Sequence, residues 1–235
     1  MTKSDGEPRA ERGGATRRTK ETMNRDEEMQ NETMAVRDGF AKMYESNPPW
    51  DIGKPQAAFR AVADQMEGPV LDAGCGTGNT SVYLAAKGLQ VTGIDFVDEA
   101  IRRARAKAAE RELKVDFRVT DAMTLGAWTE SFASVVDSGL FHIYEGKARK
   151  RYVDGLANVV QRDGRLYLLC FSSEEPLEEG GISREELEEV FAEGWEIESL
   201  EAVRGEVNPE FLAEHPKHYG KGGPLMWFAI VRRTE

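Results

Sequence analysis

The chain has 235 residues with 42 acidic against 31 basic side chains, a formal net charge of −11, so no positive excess is available to neutralise a nucleic-acid backbone. Apolar runs such as Leu166 to Phe171 fall far short of the roughly 20 residues that cross a bilayer. Cys75 and Cys170, the two cysteines, lie in apolar or glycine-rich surroundings with no CxxC spacing, which predicts buried reduced thiols, no metal site and a cytoplasmic protein. The length suits one α/β domain with a core large enough to fold without disulfides.

Residues 1–28 hold seven basic and seven acidic side chains and almost no apolar ones, the composition of a disordered tail. A start at Met23, Met29 or Met34 is an alternative. An RNA-binding arm is disfavoured because Glu7, Glu11 and Glu21 cancel the nearby basic charge, and the acidic residues weaken a transit-peptide reading of Arg9, Arg12, Arg17 and Arg18. From about residue 33, Met34, Phe40, Met43 and Tyr44 recur at helical spacing until Asn47-Pro48-Pro49 stops the helix and leads to Trp50. A second helix over 55–66 completes an N-terminal helical lid, residues 29–68.

Residues 69–235 then alternate strands and helices. Strands are expected at 69–73, 90–94, 115–119, 133–137, 165–171, 195–203 and 225–232, and helices at 79–87, 98–111, 146–161 and 183–192. Gly88 reads as a helix C-cap, and Ser183 with Glu186 as a capping box. The alternation predicts a doubly wound, Rossmann-like seven-stranded sheet, six strands parallel and the last antiparallel. Residues 174–181 form an acidic loop, and 204–224, containing His215 and His218, a long excursion. Pro216 between these histidines argues against a helical metal pair. The basic run Arg102, Arg103, Arg105, Lys107 and Arg111 is accompanied by Glu99, Glu110 and Glu112 and reads as a solvated helix face.

The first strand ends in Asp72-Ala73-Gly74-Cys75-Gly76-Thr77-Gly78-Asn79, and the second in Gly93-Ile94-Asp95-Phe96. Glycines at a strand-to-helix turn let a ligand approach the backbone, and a carboxylate after the second strand accepts ribose hydroxyls in dinucleotide folds as well. The spelling resembles motifs I and II of the class I S-adenosylmethionine-dependent methyltransferases rather than the oxidoreductase fingerprint. Asn47-Pro48-Pro49-Trp50-Asp51-Ile52-Gly53 and Asp137-Ser138-Gly139-Leu140-Phe141-His142 further resemble the small-molecule branch that holds thiopurine, tellurite-resistance and halide/thiol methyltransferases.

The resemblance implies S-adenosylmethionine as cofactor, held by Trp50, Asp72, Gly74, Gly76, Gly78, Asp95, Phe96, Asp121, Ala122 and Asp137. It places Tyr44, Trp50, Phe141, His142, Tyr144 and Phe171 around a small acceptor. His142 and Asp137 are the candidate catalytic groups, His142 as base or orienting group. Structural readings stand beside these: Asp137 as a turn cap, His142 as a satisfied strand-end histidine, and the aromatics as core. With no base obvious, a thiol, halide or other soft acceptor is favoured over a phenol, quinol or natural-product hydroxyl, and a non-catalytic S-adenosylmethionine-binding protein is a third option. A monomer or homodimer is expected, with neither nucleic acid nor membrane as partner.

Overall fold

A computed structural model describes residues 36–175, 180–214 and 222–235. The expected tail, Met34, His215 and His218 lie outside the described residues. The chain divides between Lys42 and Met43, and of the first part residues 36–42 are helical. The second part, described from here on, carries the sheet.

Its strands are β1 (Val70–Ala73), β2 (Val91–Asp95), β3 (Asp116–Val119), β4 (Phe132–Ser138), β5 (Val160–Phe171), β6 (Trp195–Arg204) and β7 (Leu225–Arg233). They pair in the order β3-β2-β1-β4-β5-β7-β6. β7 runs antiparallel to both neighbours, and β1 to β5 are mutually parallel. The helices are α1 (Ala57–Val62), α2 (Asn79–Ala86), α3 (Asp98–Glu110), α4 (Gly146–Val159), α5 (Arg184–Val190) and α6 (Pro209–Glu214).

β1 and β2 are buried at every position, as central parallel strands covered on both faces must be. Helix α3 buries Ala100, Ile101, Ala104 and Ala108, one stripe at helical spacing, so small side chains bring it close to the sheet. Gly93 in β2 is required by its neighbours in β3 and α2: a Cβ there would stand 2.7 Å from the Phe117 ring and 2.9 Å from the Ser81 hydroxyl.

Four elements differ from expectation. Helix α4 ends at Val159, and β5 begins at Val160, which pairs with Phe132 ahead of an irregularity in the ladder. Asp163, at φ 64°, and Gly164 make that bend within the strand. Second, Tyr44 lies beyond the first helix, whose helical residues stop at 43, and is 3% exposed. Third, the excursion after β6 contains α6, capped by Asn208 Oδ1 accepting the Glu210 N–H at 2.9 Å. Last, the predicted 55–66 helix is α1 followed by a 3-10 turn, Ala63–Gln65. The Ser183–Glu186 capping box is present, with both bonds formed.

Candidate active site

The carboxyl ends of β1, β2 and β4 converge on the turn between β1 and α2. Gly74, Gly76 and Gly78 all adopt positive φ, 68°, 53° and 75°, which L side chains reach only with strain. Their surroundings differ. A Cβ on Gly76 would stand 2.9 Å from the Tyr44 hydroxyl, whereas one on Gly78 would stand 2.8 Å from both Ala104 Cβ and Phe117. Gly76 thus faces the Tyr44 hydroxyl, and Gly78 packs on α3 and β3.

Three buried carboxylates sit at these strand ends. Asp72 accepts the Ser81 hydroxyl at 2.5 Å, tying β1 to α2. Asp95 accepts the Gly76 N–H at 3.0 Å on one oxygen and the Val97 N–H at 2.9 Å on the other, which orients its carboxylate beside the glycine turn. Asp137 accepts the Leu140 and Phe141 N–H groups on Oδ1, at 2.8 and 3.2 Å, and the Tyr152 hydroxyl on Oδ2 at 2.9 Å. It is fully buried, so its side chain caps the turn after β4. Both oxygens already serve the fold, and the geometry favours the structural reading of this residue over the catalytic one.

Burial pushes all three pKa values up, Asp72 and Asp95 to about 6 and Asp137 to about 7. The donors around each carboxylate oppose this, while Asp95 raises Asp72 and Asp72 raises Asp137 by charge repulsion. Negative potential at the end of three strands suits a ligand with a sulfonium and an ammonium group. A glycine turn beside Asp95, an oriented carboxylate with lone pairs left for a vicinal diol, fits the remainder of S-adenosylmethionine.

A stability consequence follows with a definite sign. Between the ordinary aspartate value and pH 7 the native protein holds protons on these groups that the unfolded chain has lost, so stability falls as pH rises. His142, lowered to about 4, acts oppositely below pH 6.5, one group against three. The unliganded protein is therefore expected to melt several degrees lower at pH 8 than at pH 5.5, and saturating S-adenosylmethionine to narrow the gap. Equal melting temperatures at the two pH values, by calorimetry without ligand, would contradict this.

The segment before α1 lies over the glycine turn. The Trp50 indole N–H donates to the Tyr44 hydroxyl at 3.2 Å, the rings meeting edge to face. Burial and the neighbouring Asp95 push the Tyr44 pKa up, so it stays a neutral phenol. Trp50 is 37% exposed. Asp51 accepts from the Thr77 hydroxyl at 2.8 Å and from Asn79 Nδ2 at 2.7 Å. Lys107 of α3 donates to Thr77 Oγ1 at 2.9 Å and to Asn79 Oδ1. Arg103 donates to the carbonyls of Tyr44 and Ser46, and Arg105 to that of Phe117 at 2.7 Å. The basic run on α3 is therefore more than a solvated face. On the other side Gln56 exchanges bonds with the Glu206 backbone, and the Asn208 N–H donates to the Pro49 carbonyl at 2.8 Å.

Beyond the end of β4, His142 stacks on Phe171 with ring centroids 4.2 Å apart, and its Nδ1 accepts the Phe171 N–H at 3.3 Å. Burial and, secondarily, Arg149 lower its pKa to about 4. The ring is neutral at pH 7, and with Nδ1 used as acceptor the proton resides on Nε2. Tyr144 is half-buried against Tyr152, its pKa raised by burial and by the charges of Asp121, Asp137 and Asp95. Phe141 departs from the expected pocket wall: it is fully buried, stacked on Phe191 and covered by Arg149, a core side chain. Asp121 accepts the Met123 N–H at 2.8 Å and caps the 3-10 turn that begins at the buried Ala122. Phe96 is half-buried immediately after Asp95.

Asp51, Thr77, Asn79 and Lys107 were not singled out as site residues from sequence. Asp51, Thr77 and Asn79 do stand within the quoted motifs, but Lys107 lies in a basic run that gave no sign of its partners. An open groove of about 700 Å³, lined by Gln90, Lys114, Arg118 and Glu130 among others, lies at the amino ends of β1 to β3 and shares none of these site residues. Among the described residues no cluster could hold a metal ion, and no helix is long and apolar enough to cross a membrane.

Residues 70–164 match the family model of a methyltransferase domain. A 2-heptyl-1-hydroxyquinolin-4(1H)-one methyltransferase of Mycobacteroides abscessus is 32% identical over 166 residues, 68% of this chain and 73% of that protein. A solved structure from work on conversion of a disulfide bond into a thioacetal group during echinomycin biosynthesis is 33% identical, covers 84% of this chain and 93% of its own, and superposes with a TM-score of 0.71. The Burkholderia thailandensis 1,6-didemethyltoxoflavin-N1-methyltransferase, 21% identical over 88% of this chain and 90% of that one with a TM-score of 0.67, shares the fold. The chain belongs to the class I S-adenosylmethionine-dependent methyltransferases that act on small molecules. It is an enzyme, its cofactor is S-adenosylmethionine, and its reaction is methyl transfer to a small-molecule substrate.

Proposed function

We propose that the acceptor is a small nucleophile that needs no base from the protein, foremost a thiolate, halide or other soft atom. The observation that carries this reading is the state of His142. Its Nδ1 is occupied by the Phe171 N–H and its basicity is depressed to about 4, so at neutral pH it offers an Nε2–H donor and a flat face rather than a proton acceptor. Asp137 offers no alternative, with both oxygens engaged inside the fold.

S-Adenosylmethionine, when bound, supplies a methyl group already activated for in-line displacement. What remains for the chain is to orient and desolvate the partners. In this reading Asp95 and the glycine turn hold the cofactor, with Phe96, Asp121 and Ala122 bordering its adenosine. Tyr44 and Trp50 cover that site, and His142, Tyr144 and Phe171 position the acceptor, His142 by donating through Nε2. A second reading, methylation of an acidic ring hydroxyl, draws support from the hydroxyquinolone relative, because an acceptor that ionises readily also dispenses with a base.

The test is a pH profile of kcat/KM for labelled methyl transfer to thiols, iodide, phenols and hydroxylated heteroaromatics. For the ionisable acceptors the rising limb is expected to follow the acceptor's own pKa and to persist in His142→Ala, and iodide, an anion at every pH, is expected to show no such limb. A limb near pH 6–7 that ignores the acceptor and vanishes in His142→Ala would restore the histidine as base. Volatile products would favour the soft acceptor, and extractable ethers the second reading.

A further inference from the structure

We infer that Lys107 is a positioning residue for cofactor binding: with Thr77, Asn79 and Asp51 it fastens residues 44–51 over the glycine turn. The Lys107 ammonium donates to Thr77 Oγ1 at 2.9 Å and to Asn79 Oδ1. Those two side chains pass the interaction on, the Thr77 hydroxyl and Asn79 Nδ2 donating to the two oxygens of Asp51 at 2.8 and 2.7 Å. Each hydrogen bond has one possible direction, because Lys107 only donates and an ionised Asp51 only accepts. The hydroxyl spends its one proton on Asp51, and the Asn79 amide cannot flip without breaking both contacts.

Thr77 and Asn79 flank Gly78 within the turn, and Asp51 follows Trp50, whose indole holds the Tyr44 hydroxyl above Gly76. A cation on α3 thus sets the cover of the turn through Thr77, Asn79 and Asp51. A charged network of this kind, partly shielded from water, holds geometry more firmly than an exposed ion pair. The assignment concerns the cofactor alone and is independent of which acceptor is methylated.

The experiment measures binding of S-adenosylhomocysteine by titration calorimetry, together with melting of the unliganded protein, for Lys107→Met, Lys107→Arg, Asp51→Asn and the surface control Lys150→Met. Lys107→Met and Asp51→Asn are each expected to weaken binding at least tenfold. The double variant should be no weaker than the worse single one, since both break one chain of contacts. Lys107→Arg should recover part of the affinity, and Lys150→Met should bind as the parent does. A folded Lys107→Met protein that melts lower yet binds within twofold of the parent would reduce Lys107 to a structural role and overturn the assignment. Additive losses in the double variant would overturn it equally. Because no acceptor is present, either result stands apart from the fate of the acceptor reading.

Discussion

Replacing Asp95 with Asn is expected to weaken S-adenosylmethionine binding on the order of 10- to 100-fold, while leaving the unliganded protein close to its original stability. The first effect comes from the acceptor's charge. If Asp95 receives the ribose hydroxyls, as the family resemblance implies, an ionised oxygen makes charge-assisted bonds worth roughly 1.5–3 kcal/mol that an amide does not. The second effect is a near cancellation. Burial lifts the Asp95 pKa to about 6, so a neutral amide escapes a desolvation cost. One of the two N–H groups, of Gly76 or Val97, then meets an NH2 in place of oxygen and loses its partner. Calorimetric titration with S-adenosylhomocysteine checks the binding, and affinity within threefold of the parent would remove Asp95 from the cofactor site.

The neighbouring glycines differ in what they pack against. Gly78→Ala is expected to destabilise the protein by about 3 kcal/mol, combining backbone strain at φ 75° with overlap against Ala104 and Phe117 at 2.8 Å. For a chain of this size that lowers the melting temperature by roughly 6–12 °C. Gly88→Ala is the comparison: its φ is 91° with nothing within 4 Å of the new Cβ, so strain alone applies and the loss should be about 1 kcal/mol. Gly76→Ala should lower cofactor affinity as well as the melting temperature, because at φ 53° its Cβ meets the buried Tyr44 hydroxyl, held by Trp50, at 2.9 Å. Equal melting losses at positions 78 and 88 would show that packing on α3 contributes nothing.

These contrasts mark what could be read from the chain and what could not. The strand–helix alternation of a doubly wound sheet, the glycine turn and Asp95 depend on local spelling: an apolar strand, a run of glycines, a carboxylate at the next strand's end. Such features survive translation into pattern because each is made by residues close together in sequence. Lys107 was obscured for the opposite reason, since its partners Thr77 and Asn79 lie about 30 positions away and a helical basic run looks alike whether solvated or clamped. The 3-10 turn at 141–143 likewise hid that Phe141 turns into the core while His142, one residue on, stacks against Phe171. The tautomer of His142 depends on a backbone N–H of another strand, which no reading of neighbours supplies. Helix α6 was legible in principle from Asn208-Pro209, a cap followed by a first-turn proline, but its six residues are too few for periodicity to register.

Gln56 and Glu206 stand 150 positions apart and hold one another by both backbone bonds, and Asn208 reaches back to Pro49. During synthesis the residues around Trp50 emerge early and lack these partners until almost the whole chain has been made. The sheet from β1 to β5 has all its strands well before that point. The cover of the glycine turn is therefore completed late, and a growing chain holds strands β1 to β5 before it holds the fastened form of that cover, while β7, whose Trp227 and Val231 join the core, comes later still.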